Sequence, residues 1–405
     1  MAGYPRGDAR SAPRRPMGPP TVRAVTETPA ALEGIRVADF SRVLAGPLAT
    51  MILGDLGGDV VKIERPGTGD DTRGWGPPWS SSGDASYYLS VNRNKRSVAL
   101  DLKDPDDLAV ARAIALRSDV VIENFRPGVM ARAGLDHGTL SAERRDLVSC
   151  RIGGIGRGDV AGYAFLAQAM GGLMSITGDA EGEPRKIGVA LVDVMTGLHA
   201  AIGILAALRH RDRTGEGQLV EVDLLSTTLF ALANQASNWL TAGVVAGRMG
   251  NRHPSIAPYE TLRAADGPFV VAVGNDEQFV TFCEVLEVAE LAADERFTTN
   301  AARVTNREEL VEALEQALAA TPAAAWIERL GARGIPCGMV NQVDQAFTLA
   351  RQVGLDPVAS FPGVDTVANP LAFSETPVSY RMPPPGVGEH DAEIRAEVAE
   401  DRPSP

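Results

Sequence analysis

IRVADFSRVLAGPLATMILGDLGGDVVKIE, residues Ile35 to Glu64, decides the fold class. Its opening, Ile35-Arg36-Val37-Ala38-Asp39-Phe40, is short and mostly apolar and reads as a strand. A turn from Ser41 to Gly46 follows. Pro47 suits the start of a helix, where its missing N–H leaves no bond unmade. That helix runs to Leu56, and Gly57-Gly58 ends it. Asp59-Val60-Val61-Lys62-Ile63-Glu64 is the next strand. Strand, helix and strand with connections this short make a βαβ unit, which implies a right-handed crossover and parallel strands.

Outward from this unit the alternation continues. Pro66 to Ser90 is rich in Gly, Pro, Asp and Ser and too long for a simple connection, so it reads as a functional loop. Strands are expected at Ser97–Leu102, Asp119–Glu123 and Leu147–Ile152, with a helix from Pro105. This predicts an α/β fold: a large, open, parallel-sheet domain of Rossmann-like type, covered on both faces. A long helix is predicted from Val194 to Arg211. Its nearly continuous apolar positions (Leu198, Ala201, Ile202, Ile204, Leu205, Leu208) mark it as buried. A turn at Thr214–Gly217, a strand at Gln218–Leu224 and a helix at Leu225–Thr241 follow. A smaller α/β unit then has a strand at Phe269–Val273 and helices near Asp276–Leu286 and Arg307–Leu318. The chain after Leu349 is Pro-rich and reads as loop. The expected division is a tail at 1–30, a large domain at 31–224, a connecting helix at 225–247, a small domain at 248–345, and a segment at 346–405 returning to the large domain.

The net charge of -13 over 405 residues argues against general affinity for nucleic acid or anionic membrane, but leaves room for a local basic pocket. Cys150, Cys283 and Cys337 are far apart, form no CxxC pair and read as buried thiols. Neither a disulfide framework nor a metal site is expected, and a reducing cytoplasm fits this pattern. No apolar run reaches membrane-spanning length by this reading. The first 30 residues carry Arg6, Arg10, Arg14, Arg15 and Arg23 among six prolines. This segment holds too little apolar surface to fold, and reads as a disordered tail or as an over-extended start ahead of Met17.

Asp193, in Gly188-Val189-Ala190-Leu191-Val192-Asp193-Val194, places a carboxylate in apolar surroundings at a helix start. One reading is an N-cap that satisfies free N–H groups. The other is an ionised nucleophile, kept charged by the helix dipole, that attacks a thioester. Spacing alone leaves both open. Neither a GxGxxG nor a GxxxxGK[ST] motif occurs, so a dinucleotide or P-loop site is poorly supported. Gly153-Gly154-Ile155-Gly156 is either a tight turn or a place where backbone approaches a ligand. Basic residues punctuate the first domain, among them Arg42, Lys62, Arg65, Arg73, Lys95, Lys103, Arg126 and Arg132. Most read as solvated surface, and some lie at strand ends where open α/β sheets bind anions. No histidine among His137, His199, His210, His253 and His390 has a metal-ligand partner at i+3 or i+4.

Several blocks together resemble class III CoA-transferases. They are Leu32–Val37, Arg42–Pro47, Leu56–Pro66, Gly69–Arg73, Asn94–Ser97, Glu123–Gly128, Arg213–Gln218 and Pro383–His390. Within that family, Thr72–Pro78, Tyr87–Lys95 and Gly250–Tyr259 look most like succinyl-CoA:glutarate and related dicarboxylate enzymes. The resemblance implies Asp193 as the nucleophile and CoA contacts at Ala45, Arg65, Leu100, Lys103, Asn124 and Arg132. It implies an interlocked-ring homodimer, acyl-CoA and small carboxylic acids as substrates, and neither a tightly bound cofactor nor a metal. Arg42, Arg73 and Arg252 are candidates for a substrate's second carboxylate, because Arg pairs with carboxylate through two parallel hydrogen bonds. Gly274, in Val273-Gly274-Asn275-Asp276, is a candidate backbone donor to an oxyanion. There are departures from the family pattern: a loop after Ile152 shorter by about four residues, Ile155 in place of an aromatic residue, and Gly162-Tyr163-Ala164 in place of a motif ending in Asp. Two other functions fit parts of the pattern. A 2-methylacyl-CoA racemase needs an acid and a base on opposite faces of its substrate, and Tyr163 replaces the His expected there. An idle CoA-thioester binder is favoured by the altered loop and opposed by Asp193.

Overall fold

Alternate residues of the opening strands serve opposite faces of one sheet. The computed structural model describes residues 29–81, 83–156 and 162–400. Six strands, β1 (Arg36–Asp39), β2 (Asp59–Glu64), β3 (Lys95–Ala99), β4 (Val120–Glu123), β5 (Val148–Gly153) and β6 (Leu219–Asp223), pair in parallel in the order β3-β2-β1-β4-β5-β6. Val37, Val60, Val120, Ile122, Val148 and Cys150 pack under helix α1 (Ala45–Asp55) and the helix Leu191–Thr214. Ala38, Phe40, Val61, Ile63, Val98 and Val121 pack on the other face, under the helices Pro105–Arg117 and Asp391–Glu400. The fold is therefore the open, parallel, Rossmann-like α/β sheet with both faces covered. Strand order reverses between β1 and β4, and in open α/β sheets the ligand crevice lies beyond the carboxyl ends of the strands at such a reversal.

A second unit has its own core. Strands β7 (Tyr259–Ala264), β8 (Gly267–Ala272) and β9 (Cys337–Met339) form an antiparallel sheet. Leu262, Phe269, Phe279, Phe282, Leu314 and Trp326 fill the space between it and its helices, with no exchange of residues with the large core.

Some elements differ from expectation. β3 begins at Lys95 rather than Ser97, because the charges that look wrong for a strand are paired inside the protein. The long helix starts at Leu191, so Asp193 lies inside it. Leu198 and Ile202 of that helix are 44% and 63% exposed, not buried. The helix is also long and apolar enough to cross a membrane by length and composition, which corrects the expectation that no such run exists. It lies instead against α1, β5 and β6. The segment expected as one helix at 225–241 is two, Leu224–Ala231 and Ala233–Ala242, broken where Ala233 takes φ 45°. The chain after Leu349 is not all loop. Phe361-Pro362-Gly363-Val364 turns a hairpin of β10 (Val358–Phe361) and β11 (Val364–Val367), with Gly363 at φ 81°. The terminal helix Asp391–Glu400 docks on the sheet. Between them, main-chain bonds from Asn94 to Met382 and from His390 to Ser97 tie this segment to β3 and the turn before it. The tail expected at 1–30 lies outside the described residues as far as residue 28, as do residues 157–161 of the shortened loop.

Candidate functional site

The turn after β1, Ser41 to Leu44, sits at the point where strand order reverses. Val43 is held at φ 72°, a costly conformation for a β-branched residue. Three side chains hold it there. Asp70 accepts the Val43 N–H at 3.3 Å, and Lys62 Nζ donates to the Ser41 carbonyl and to Asp70, each at 3.0 Å. Asn124, just beyond β4, accepts from Arg42 N–H at 2.9 Å and donates to the Arg42 carbonyl at 2.7 Å. Beneath the turn, Lys95 Nζ bonds Asp39 at 3.1 Å and the Pro47 carbonyl at 2.9 Å. Lys62 and Lys95 are thus fully buried, where the sequence read them as surface. Burial works to raise the carboxyl of Asp70, but Lys62 and the Thr72 N–H prevail and hold it at about 2. Burial likewise opposes Asp39, and Lys95 with Lys62 keeps it below the ordinary range.

Asp193 is the third residue of its helix, and Ala190 rather than Asp193 occupies the cap position. The N-cap reading is therefore set aside. Gly197, one turn on and on the same face, lies so close to α1 that a Cβ there would stand 2.6 Å from the Ala45 carbonyl oxygen. That close approach seats the long helix against the start of α1, one turn after Asp193. Asp193 is 9% exposed. Its side chain has no hydrogen-bond or ion-pair partner among the described residues. Burial pushes its carboxyl up to about 6. Desolvation is what raises it, and no described side chain bonds the carboxylate to offset that cost. At pH 7 it remains mostly ionised and poorly solvated, a good state for a carboxylate nucleophile.

The six expected CoA contacts all lie just beyond the carboxyl ends of β1 to β4. Ala45 is buried at the start of α1, and Arg65 follows β2 and pairs with Asp71. Leu100 is buried after β3, its N–H bonded to the Glu64 carbonyl at 2.8 Å, and Lys103 is exposed nearby. Asn124 follows β4. Arg132 is exposed, with its guanidinium beside Gly128. Lys103 and Arg132 make no ion pair among the described residues, so both are free for phosphate.

The three arginines assigned to a second carboxylate separate. Arg42 stacks on Phe125 at 4.6 Å, and its guanidinium bonds no described residue. Burial and the nearby charge of Arg65 bring it below the ordinary guanidinium range. It is an unpaired, partly desolvated cation at the crevice. Arg73 is committed elsewhere: it binds Glu64 at 2.9 and 2.7 Å and the Pro385 carbonyl at 2.8 Å, and stacks on Tyr88. Arg252 pairs with Glu308 and, at 3.3 Å, with Glu260 of the second unit. The Gly274 N–H donates to the Gln278 side chain at 2.7 Å, so it is not free for an oxyanion.

Sequence reasoning did not single out Tyr87. Its ring meets Trp75 edge-on at 5.2 Å, and its hydroxyl has no partner among the described residues. Burial, then the charges of Asp193 and Asp70, push the phenol up to about 12. The buried lysines were missed as well. Lys62 was detectable, because a central parallel strand is apolar throughout and a Lys within it must be paired.

Comparison with known proteins adds an independent line. Residues 32–391 match the model of CoA-transferase family III. The chain is 41% identical to a succinate–glutarate CoA-transferase of Agrobacterium fabrum, covering 91% of this chain and 95% of that one. It is 39% identical to a human succinyl-CoA:glutarate CoA-transferase (91% and 86% covered). It is 38% identical to an acetyl-CoA:oxalate CoA-transferase of Acetobacter aceti (96% and 97% covered). Among solved structures, a CaiB/BaiF family protein from Brucella suis superposes with a TM-score of 0.82 at 40% identity, over 91% of this chain and all of that one.

Proposed function

Because this chain belongs to CoA-transferase family III, we propose that it moves CoA from a dicarboxylic acyl-CoA, such as succinyl-CoA, to a dicarboxylic acid, with Asp193 as the nucleophile. The observation that carries the proposal is a buried carboxylate without partners among the described residues, one turn before the glycine that packs on the start of α1. In the first step an Asp193 oxygen attacks the thioester carbon. A C–O bond forms, the C–S bond breaks, and CoA leaves as thiolate. The thiolate then attacks the Asp193 carboxyl carbon, which forms an aspartyl-CoA thioester and releases the donor acid. The acceptor carboxylate attacks that thioester and expels thiolate again. Thiolate finally attacks the acceptor's acyl carbon, which gives the new acyl-CoA and restores the Asp193 carboxylate. No proton is gained or lost overall.

The dicarboxylate preference rests on the printed activities of the Agrobacterium and human relatives and on Arg42, a guanidinium with no partner of its own. Arg65, Lys103 and Arg132 hold the CoA phosphates, and Ala45, Leu100 and Asn124 shape the rest of its channel. The working form is an interlocked homodimer, supported by the apolar surface that one chain leaves exposed. The test is chemical trapping. Incubation with succinyl-CoA and hydroxylamine should convert Asp193 to its hydroxamate, located by peptide mass spectrometry. Asp193→Ala should abolish both the mark and the transfer. Near-normal turnover by that variant would refute the mechanism.

A further inference from the structure

Six arginines among the described residues lie over an aromatic ring, with the guanidinium carbon 3.6 to 5.0 Å from the ring centre. Stacking of this kind uses the flat face of the guanidinium and leaves the N–H groups in its plane free. Five of the six, Arg73, Arg93, Arg296, Arg303 and Arg329, bind a carboxylate of the chain with that edge, at 2.6 to 3.1 Å. Arg73 shows the filled arrangement: its face lies 3.6 Å from the Tyr88 ring and its edge binds Glu64 at 2.9 and 2.7 Å. Arg42 is the sixth. Its face rests on Phe125 at 4.6 Å, and its edge has no ion pair or hydrogen bond among the described residues.

This arrangement is fixed at both ends. Phe125 packs on the large core, and its N–H donates to Glu123 at 2.7 Å. Asn124 grips the Arg42 main chain, accepting from its N–H at 2.9 Å and donating to its carbonyl at 2.7 Å. Arg42 and Phe125 are both half-buried, so the cation has lost part of its water without gaining an anion in exchange. The turn that carries it runs on into Ala45, whose carbonyl abuts Gly197, one turn after Asp193.

Resting on the transferase reading above, we infer that Arg42 and Phe125 form a seat for one oxyanion group of the substrates. Phe125 is its positioning residue: the ring holds the guanidinium by its face, so the edge meets the incoming group with two parallel hydrogen bonds. On the dicarboxylate reading the occupant is the distal carboxylate of the acid. A phosphate of CoA offers the same oxygens, and the experiment separates the two.

The experiment compares wild type with Phe125→Leu, which keeps apolar bulk and removes the ring, and with Phe125→Tyr, which keeps the ring. With succinyl-CoA as donor, the kcat/KM ratio of glutarate to butyrate should fall about fivefold in Phe125→Leu and return to within about twofold of wild type in Phe125→Tyr. That result supports the seat and puts the distal carboxylate in it. An unchanged ratio, with KM for succinyl-CoA raised about fivefold in Phe125→Leu alone and no rise with succinyl-pantetheine, also supports the seat. It would put a phosphate there and overturn the dicarboxylate role of Arg42. If neither value moves, or both variants lose alike, the inference falls while the transferase reading stands. An equal loss for both acids that follows a lower urea midpoint would show a structural role and overturn it too. If the wild type transfers CoA to no acid, the transferase reading fails. Calorimetry with succinyl-CoA then decides the seat: weaker binding to Phe125→Leu than to Phe125→Tyr supports it, and equal binding overturns it.

Discussion

Asp193 is under two opposed demands, reactivity and folding. Its folded value of about 6 stands above the ordinary 3.8, so the fold disfavours the charged form. The stability contributed by the neutral Asp193 acid is therefore full below about pH 4 and is lost as pH rises through about 6. A shift of about two units corresponds to at most about 3 kcal/mol. Asp193→Asn should abolish transfer and yet raise the urea midpoint at pH 7.5, with no gain at pH 4. The same ionisation should appear in turnover, with kcat rising through about pH 6 as the carboxylate forms. Burial also pushes Glu123, beside Asn124, up to about 7, so the limb should be measured again in Glu123→Gln. A limb that persists there belongs to Asp193. Arg42 gives a third test at this scale. A distal carboxylate that pairs with it should be missed in butyrate, and leaving the guanidinium unpaired costs about 1–3 kcal/mol. Glutarate should exceed butyrate by at least about tenfold in kcat/KM, and Arg42→Met should erase most of that ratio. Equal use of both acids by the wild type would refute the dicarboxylate reading. The sequence showed all three arginines, but not that Arg73 and Arg252 are already engaged, since pairing across 312 or 56 positions is fixed by the fold.

At the scale of elements, the crevice depends on the turn after β1, and the turn depends on Lys62. This ammonium is held above its usual range: burial would lower it, but Asp70, Asp39 and Glu64 outweigh that. Removing it leaves Asp70 buried and unpaired, at a cost of about 3–5 kcal/mol. Lys62→Met should show that loss in urea unfolding. Adding Asp70→Leu should restore part of it, because two apolar groups leave no charge stranded. Equal loss in single and double variants would show that the pair is not what holds the turn. The strands and helices around this network were legible from period and turn residues, as β1, α1 and β2 show. The start of β3 was not. A strand that opens on Lys95 and Arg96 looks like a loop until Asp39 and Asp59 are seen to neutralise them. The β10–β11 hairpin carried a Pro-Gly turn signal that the surrounding prolines obscured.

Over the whole molecule, apolar surface points to assembly. Val189, Ile202, Leu229, Phe230, Trp239, Leu240, Val244 and Val245 are each more than half exposed, and Phe230 reaches 75%. They fall within residues 189–245, along and just beyond the helices that lead out of the large sheet. A monomer seldom leaves so much apolar area in water. The long helix read as buried from its sequence because Leu198 and Ile202 continue its apolar run. In the proposed dimer a second chain would cover both. Ile202→Glu with Phe230→Glu should then lower solubility and shift the sedimenting species from two chains of 42.7 kDa toward one or toward aggregate. Interlocking adds a stronger demand than association alone. Two chains threaded as closed rings separate only by unfolding, so their exchange is limited by the unfolding rate rather than by an interface constant. Tagged and untagged dimers mixed at 25 °C should form no mixed species over days, even on high dilution. After denaturation together and refolding, a 1:2:1 distribution should appear in native mass spectrometry. Exchange within minutes in native buffer would mean that the chains meet face to face and are not threaded, while leaving the chemistry at Asp193 untouched.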